Sequence, residues 1–305
     1  MDGIIPLYKP RGMTSFDCVA KIRGILHQKK VGHSGTLDPN VDGVLPICVG
    51  KATKVVNYLM ASGKVYEGAV TFGFSTTTED LDGEVIKKRI LSQAFSDTEI
   101  DMAMLRLTGE ITQIPPIYSA IKVNGKKLYE YARQGIEVER PKRQITVHTF
   151  ERQARSVFDK INGTQTVNFK VVCSKGTYVR TLAVDLGEIL GVPAVMSKLT
   201  RLSSGGFKLD ETVTFAQLES AVETNTIDTL IRPLDHALKN YPHFELNADL
   251  WRRVQNGAIL QRSNFDQPKN AAPVLALTFH DRVQALYQYD EKRVAYRPMT
   301  MLLTN

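Results

Sequence analysis

Gly32-His33-Ser34-Gly35-Thr36-Leu37-Asp38-Pro39 is the stretch on which the reading of this chain turns. Its two glycines permit a tight, irregular backbone, and Pro39 fixes the chain just after Asp38. Neither a helical nor a strand period runs through 32–43, which holds three Gly, one Pro and two Asp. The apolar run 44–49 follows at once. The stretch therefore reads as a rigid loop feeding a buried strand, with Asp38 displayed where site residues tend to sit. A carboxylate so placed can act as a nucleophile. An Asp before Pro is also a common turn former, and the local string leaves both readings open.

Outward from the loop the chain alternates strands and helices. Upstream, 3–8 reads as an apolar strand ended by the turn Lys9-Pro10-Arg11-Gly12. Thr14 or Ser15 then caps a helix with Val19, Ile22, Ile25 and Leu26 on one face. Downstream, 54–60 reads as a helix and 64–74 alternates as a strand. A polar, acidic loop spans 75–84, and Asp97 is expected to cap a helix running to Leu107. From 114 the chain changes character: Pro115-Pro116, a turn at Val123-Asn124-Gly125, then a short helix with Leu128, Tyr129 and Tyr131. Strands are expected over 145–155 and 165–173, a helix over 178–190, and a helix from Thr214 to Ala221. Arg232-Pro233 and Tyr241-Pro242 mark a boundary near 235–245, and 274–279 and 283–289 are strand-like. The expected fold is α+β, a mixed α/β domain over 1–235 with a largely antiparallel sheet, followed by a small C-terminal domain over 240–305.

Composition narrows the function. With 305 residues, 43% of them hydrophobic, the chain can bury a sizeable core. No run of eighteen apolar residues exists, so no membrane span is expected, and 1–10 lacks the features of a secretory leader. Cys18, Cys48 and Cys173 are widely spaced among apolar residues, which reads as three reduced, buried thiols in a cytoplasmic protein. The net charge of +7 is unevenly spread. Residues 1–64 carry nine Lys/Arg against four Asp/Glu, and 118–180 carry thirteen against five. Such blocks imply a basic face that attracts a polyanion through phosphate contacts.

Several separated blocks then sharpen the reading. They are Lys9-Pro10-x-Gly12-x-Thr14-Ser15, the loop Gly32 to Pro39, Gly43-Val-Leu-Pro46 and Gly50-Lys-Ala-Thr-Lys54. Lys64-Val-Tyr66-Glu67, Pro115-Pro-Ile-Tyr-Ser-Ala-Ile-Lys122, Gly125 to Gly135 and Gly176-Thr-Tyr-Val-Arg180-Thr-Leu182 follow in order. Together they resemble the TruB family of tRNA pseudouridine synthases across about residues 3–205. One departure stands at Val41, before Asp42, where many relatives carry a small residue.

The resemblance implies a pseudouridine-synthase-type catalytic domain over 1–235, with an insertion at about 118–155 that contacts RNA. It also implies that the C-terminal unit, 240–305, is an RNA-binding, PUA-like domain. The family reaction turns uridine 55 in the T loop of tRNA into pseudouridine on a flipped-out base. No electrons are gained or lost, so no cofactor and no metal are expected. Asp38 takes the place of the nucleophile, Tyr66 that of the tyrosine stacked on the flipped base, and Arg180 that of the arginine paired with the carboxylate. A guanidinium fork suits a bidentate contact and favours an ionised Asp38. His33 matches a histidine wedged among the loop bases, and Tyr178 and Leu199 match residues lining the uridine pocket. Lys122, Lys126, Lys127 and Arg133, interleaved with Tyr118, Tyr129 and Tyr131, are expected to grip RNA. The expected partner is the T-arm of tRNA, bound by a monomer without an obligatory protein partner. Two other classes remain alongside: an RNA-guided synthase subunit, and a non-catalytic RNA-binding protein. A hydrolase holding a metal on His33, Asp38 and Asp42 fits less well, because no histidine pair shows ligand spacing.

Overall fold

Alternating apolar side chains in 64–72 and 164–173 call for strands that each turn one apolar face to a core. In the computed structural model, which describes residues 1–265 and 272–304, these segments lie in the middle of a central sheet. Lys64–Phe72 pairs antiparallel with Thr164–Cys173 on one side and with Ala194–Ser204 on the other, so Tyr66 has Val171 and Arg201 as neighbours. The strand order is Gly3–Lys9, Asp42–Val49, Ala194–Ser204, Lys64–Phe72, Thr164–Cys173, Arg143–Arg152 and Gly109–Gln113. Within that order only Asp42–Val49 and Ala194–Ser204 run parallel. The expectation of a largely antiparallel sheet holds.

The period of two splits the first strand between two cores. Ile5 and Leu7 join a cluster shared with three helices, Ser15–Leu26, Asp97–Arg106 and Val179–Ile189, through residues such as Ile22, Met104 and Leu182. Ile4 faces the other way, with Val44 and Cys48, toward Leu234, Leu238, Ala276 and Leu286. That second layer seats the C-terminal sheet against the central sheet. The C-terminal unit has a five-stranded sheet and a separate core built on Leu250, Val254, Leu275 and Tyr287. Among the described residues, no helix is long and apolar enough to cross a membrane. Cys18, Cys48 and Cys173 are free and buried.

Local signals mostly fall where expected, with informative exceptions. Thr14 caps Ser15–Leu26 through a box with Asp17, and Thr214 caps Phe215–Glu223 through a box with Gln217. The cap of Asp97–Arg106 is Ser96, not Asp97; its hydroxyl accepts from the Glu99 amide, and Asp97 instead accepts from Ser156. The segment 54–60 splits into a 3-10 turn, Gly50–Val55, and a short helix, Val56–Ala61. The expected insertion of 118–155 is also too long. Arg143–Arg152 is a strand of the central sheet, paired with Gly109–Gln113 and Thr164–Cys173, so the excursion ends by 142. Alternation buries Ile145 and Val147, in keeping with the strand expected over 145–155.

Candidate active site

Asp38 lies on a loop held by two buried cations. Lys9, 0% exposed, ends the first strand and donates from Nζ to the carbonyls of Pro39 at 3.0 Å and Val41 at 2.7 Å, as well as to its neighbour Pro10. Arg201, also 0% exposed, donates to the carbonyls of Val44 at 2.7 Å, Gly35 at 3.1 Å and Thr36 at 3.4 Å. Ser15 adds a third tie, its hydroxyl accepting from the Leu37 amide at 2.9 Å. Gly35 adopts φ +79°, a left-handed conformation that suits glycine, beside the Arg201 guanidinium. The loop is thus fastened through its main chain, and the Asp38 carboxylate takes no part in the fastening.

That carboxylate opens into a cleft of about 620 Å³ whose lining includes Asp38, Lys64, Tyr66, Tyr178, Arg180 and Leu199. Arg180, 5% exposed, places Nε 3.0 Å from Asp38 Oδ2 and 3.7 Å from Asp80 Oδ2. Its two terminal nitrogens donate to the carbonyls of Thr78 at 2.7 Å and Tyr118 at 3.0 Å. The expected bidentate fork on Asp38 is therefore not formed; the fork is taken up by main chain, and Nε alone meets the carboxylate. Burial raises the Asp38 pKa most, and Asp80 and Asp82 raise it further, while Arg180 and Lys9 pull it down. The outcome lies above the ordinary carboxylate value, although 39% of the side chain is open to the cleft. Protein crowds the buried side of the carboxylate, and the open side faces the space a substrate would fill.

Tyr66 is 6% exposed, and its phenol pKa is raised mainly by burial, with the neighbouring Arg201 opposing. Tyr178 is held by its main chain: the buried Gln113 side chain donates to its carbonyl at 3.0 Å and accepts from its amide at 2.8 Å. Leu199 adds an apolar wall from the strand beside Tyr66. His33 does not line the cleft; it ends the short strand Val31–His33 beside Ile47, with its Nδ1 buried and without a partner. Lys122, Lys126, Lys127 and Arg133 also lie outside it, on the hairpin and short helix of the excursion. Asp42 accepts from Tyr8 at 3.0 Å, Thr200 at 2.6 Å and Arg11 at 3.3 Å, which makes it a structural anchor. The described residues contain no group of three or more His, Cys, Asp or Glu placed to hold a metal ion. Lys9, Asp80 and Arg201 were missed by reading the sequence. Lys9 opens a family block and Asp80 lies in the acidic loop 75–84, but nothing in the string marked Arg201.

The fold has close structural kin. It matches the crystal structure of a Cbf5-Nop10-Gar1 complex with a TM-score of 0.72 and 26% identity, covering 98% of this chain and 84% of that one. It also matches a structure of an H/ACA RNP bound to a substrate RNA containing 2′-deoxyuridine, with a TM-score of 0.70 and 25% identity over 98% and 84% of the two chains. Residues 23–179 match the model of the TruB family pseudouridylate synthase N-terminal domain, and 180–239 match that of the tRNA pseudouridylate synthase B C-terminal domain. These matches define the class: the chain falls in a family of pseudouridylate synthases. More narrowly, the chain belongs to the TruB family. Proteins named tRNA pseudouridine synthase B are 58% identical to it in Levilactobacillus brevis, over 100% of both chains, and 55% identical in Lactiplantibacillus plantarum, again over 100% of both. The two family models meet at 179/180, at the first turn of Val179–Ile189, where the fold itself has no boundary.

Proposed function

We propose that this chain isomerises uridine 55 in the T loop of tRNA to pseudouridine, with Asp38 as the nucleophile. The observation that carries this reading is the Asp38–Arg180 pair at the wall of a cleft shared with Tyr66, on a loop locked before any substrate arrives. The N1–C1′ bond breaks, the base turns, and a C5–C1′ bond forms; C5 gives up its proton and N1 gains one, so atoms and electrons balance. Attack by Asp38 at C1′ of the ribose or at C6 of the base keeps the fragments together while the base turns. Tyr66 offers a ring face for the flipped base, with Tyr178 and Leu199 closing the pocket. Arg180 supports the ionised form of Asp38 against burial and two neighbouring carboxylates. The excursion carrying Lys122, Lys126, Lys127 and Arg133 grips the T-arm, His33 meets the loop bases from outside the cleft, and the C-terminal unit adds RNA surface. The reading calls for neither a metal nor an organic cofactor, and for a monomer acting without a protein partner.

The test is to incubate the protein with unmodified tRNA transcript in EDTA and to map pseudouridine by a carbodiimide primer-extension stop. A stop that reports position 55 is the expected result. Modification at another site, or a strict requirement for added metal by the enzyme rather than by tRNA folding, would overturn it.

A further inference from the structure

Four buried cations surround the catalytic cleft, and three are fully engaged. Lys9 and Arg201 hold main-chain carbonyls, and Arg180 holds two carbonyls and Asp38. The fourth, Lys64, is different. It is 8% exposed, opens the central strand and lines the cleft. Its Nζ has only two long contacts, to the carbonyls of Met60 at 3.4 Å and Ser62 at 3.5 Å. No ion pair among the described residues includes it. The charged and titratable groups facing it are Arg201 on the adjacent strand, Lys175 in the turn after the Thr164–Cys173 strand, and the Cys173 thiol. None of these is a carboxylate.

An ammonium buried among cations is costly unless an anion completes the site. A neutral uracil cannot do so, but a flipped nucleotide brings two flanking phosphodiesters with it. We infer that Lys64 is a phosphate subsite, whose ammonium takes up a phosphodiester adjoining the nucleotide held in the cleft. Lys175, exposed on the cleft's rim, faces the same anion from the solvent side. The inference rests on the reading that the cleft holds a nucleotide of RNA, and it adds which buried side chain meets the backbone there. Burial lowers the Lys64 pKa to about 8, with Arg201 and Lys175 assisting and the Cys173 thiol opposing. The free site is therefore mostly protonated at neutral pH, and a bound phosphate would hold the proton more tightly.

A double substitution in protein and RNA tests this. Binding is measured for Asp38→Asn protein, with Lys64 or with Lys64→Met, to T-arm stem-loops carrying a neutral methylphosphonate at either phosphate beside the target uridine. One methylphosphonate should weaken binding to the Lys64 protein by roughly ten-fold. Lys64→Met should weaken binding of the unmodified RNA by a similar factor and then be indifferent to that same methylphosphonate. Affinity should also fall as pH rises through about 8 with Lys64 present, and stay level in Lys64→Arg, which retains its charge. Additive losses, or a pH limb unchanged in Lys64→Arg, would overturn the subsite. Either result in a protein whose Asp38 form still modifies tRNA would leave the proposed reaction standing, whereas failure of that protein to modify tRNA would count against the reaction itself.

Discussion

The loop that carries Asp38 and the excursion over 114–142 both use glycine and proline to shape irregular backbone, and both meet basic side chains, but to opposite ends. The loop's cations come from outside it and are buried: Lys9 and Arg201, on flanking strands, fasten carbonyl oxygens at 2.7–3.4 Å. In the excursion Lys122, Lys126 and Arg133 are exposed, and the basic groups rest on the segment's own aromatic rings. Lys126 lies 5.9 Å from the Tyr131 centroid, and Lys127 and Arg133 lie 5.4 and 5.3 Å from that of Tyr129. Exposed cation–π contacts are weak and readily exchanged for phosphates. A nucleophile has to be in place before its substrate, because small misplacements slow the reaction. A grip on a large polyanion can form on arrival. Rigidity and adaptability are thus separated along the chain.

The sharpest way to break this comparison is at the proposed nucleophile, Asp38. Asp38→Asn keeps size and polarity but not charge, so single-turnover conversion should fall by about a thousand-fold or more, while tRNA affinity stays within a few-fold. Equal losses in rate and affinity would mean that Asp38 only shapes the cleft.

Arg180 comes next. A lysine there can reach Asp38 or a carbonyl but cannot repeat all three contacts, so Arg180→Lys should turn over roughly a hundred-fold slower with nearly normal binding. With Asp38 as the proposed nucleophile, activity should need its ionised form and be lost as pH falls through its raised pKa. Arg180 is the largest influence lowering that pKa, so Arg180→Ala should move the acid limb of the rate profile to higher pH. An Ala variant with an unmoved limb and a pure binding defect would instead place Arg180 on the RNA backbone.

Lys9→Met tests the lock itself. It strips the buried carbonyls of Pro39 and Val41 of their donor, and should cost roughly 2–4 kcal/mol in denaturant unfolding. A variant of unchanged stability and rate would show that the loop holds itself. The smallest effect per residue belongs to the excursion. Replacing Lys122, Lys126, Lys127 and Arg133 by Ala should flatten the salt dependence of tRNA affinity, by a slope of about 0.7–0.9 for each phosphate that is no longer neutralised. An unchanged slope would mean that these side chains do not touch RNA.

By itself the sequence determined what local rules control. The period of two in 64–72 and 164–173 set which faces are buried, and Thr14 and Thr214 set where two helices begin. The ordered blocks from Lys9 to Leu182 carried the family, and with it the candidate cleft residues Asp38, Tyr66, Tyr178, Arg180 and Leu199, which the fold brings to one cleft. Tertiary structure decided what depends on partners distant in sequence. The resemblance implied an insertion over 118–155 although a strand was also expected over 145–155, and pairing with Gly109–Gln113 and Thr164–Cys173 settled Arg143–Arg152 in the sheet. The Arg180 fork went to the carbonyls of Thr78 and Tyr118, because main-chain acceptors buried beside it also require donors. Arg201 lies beside Tyr66 only because their strands pair across more than a hundred residues of intervening chain, and Lys64 faces Arg201 for the same reason. A linear string states which side chains are charged. Only the packed chain states which of those charges are already satisfied.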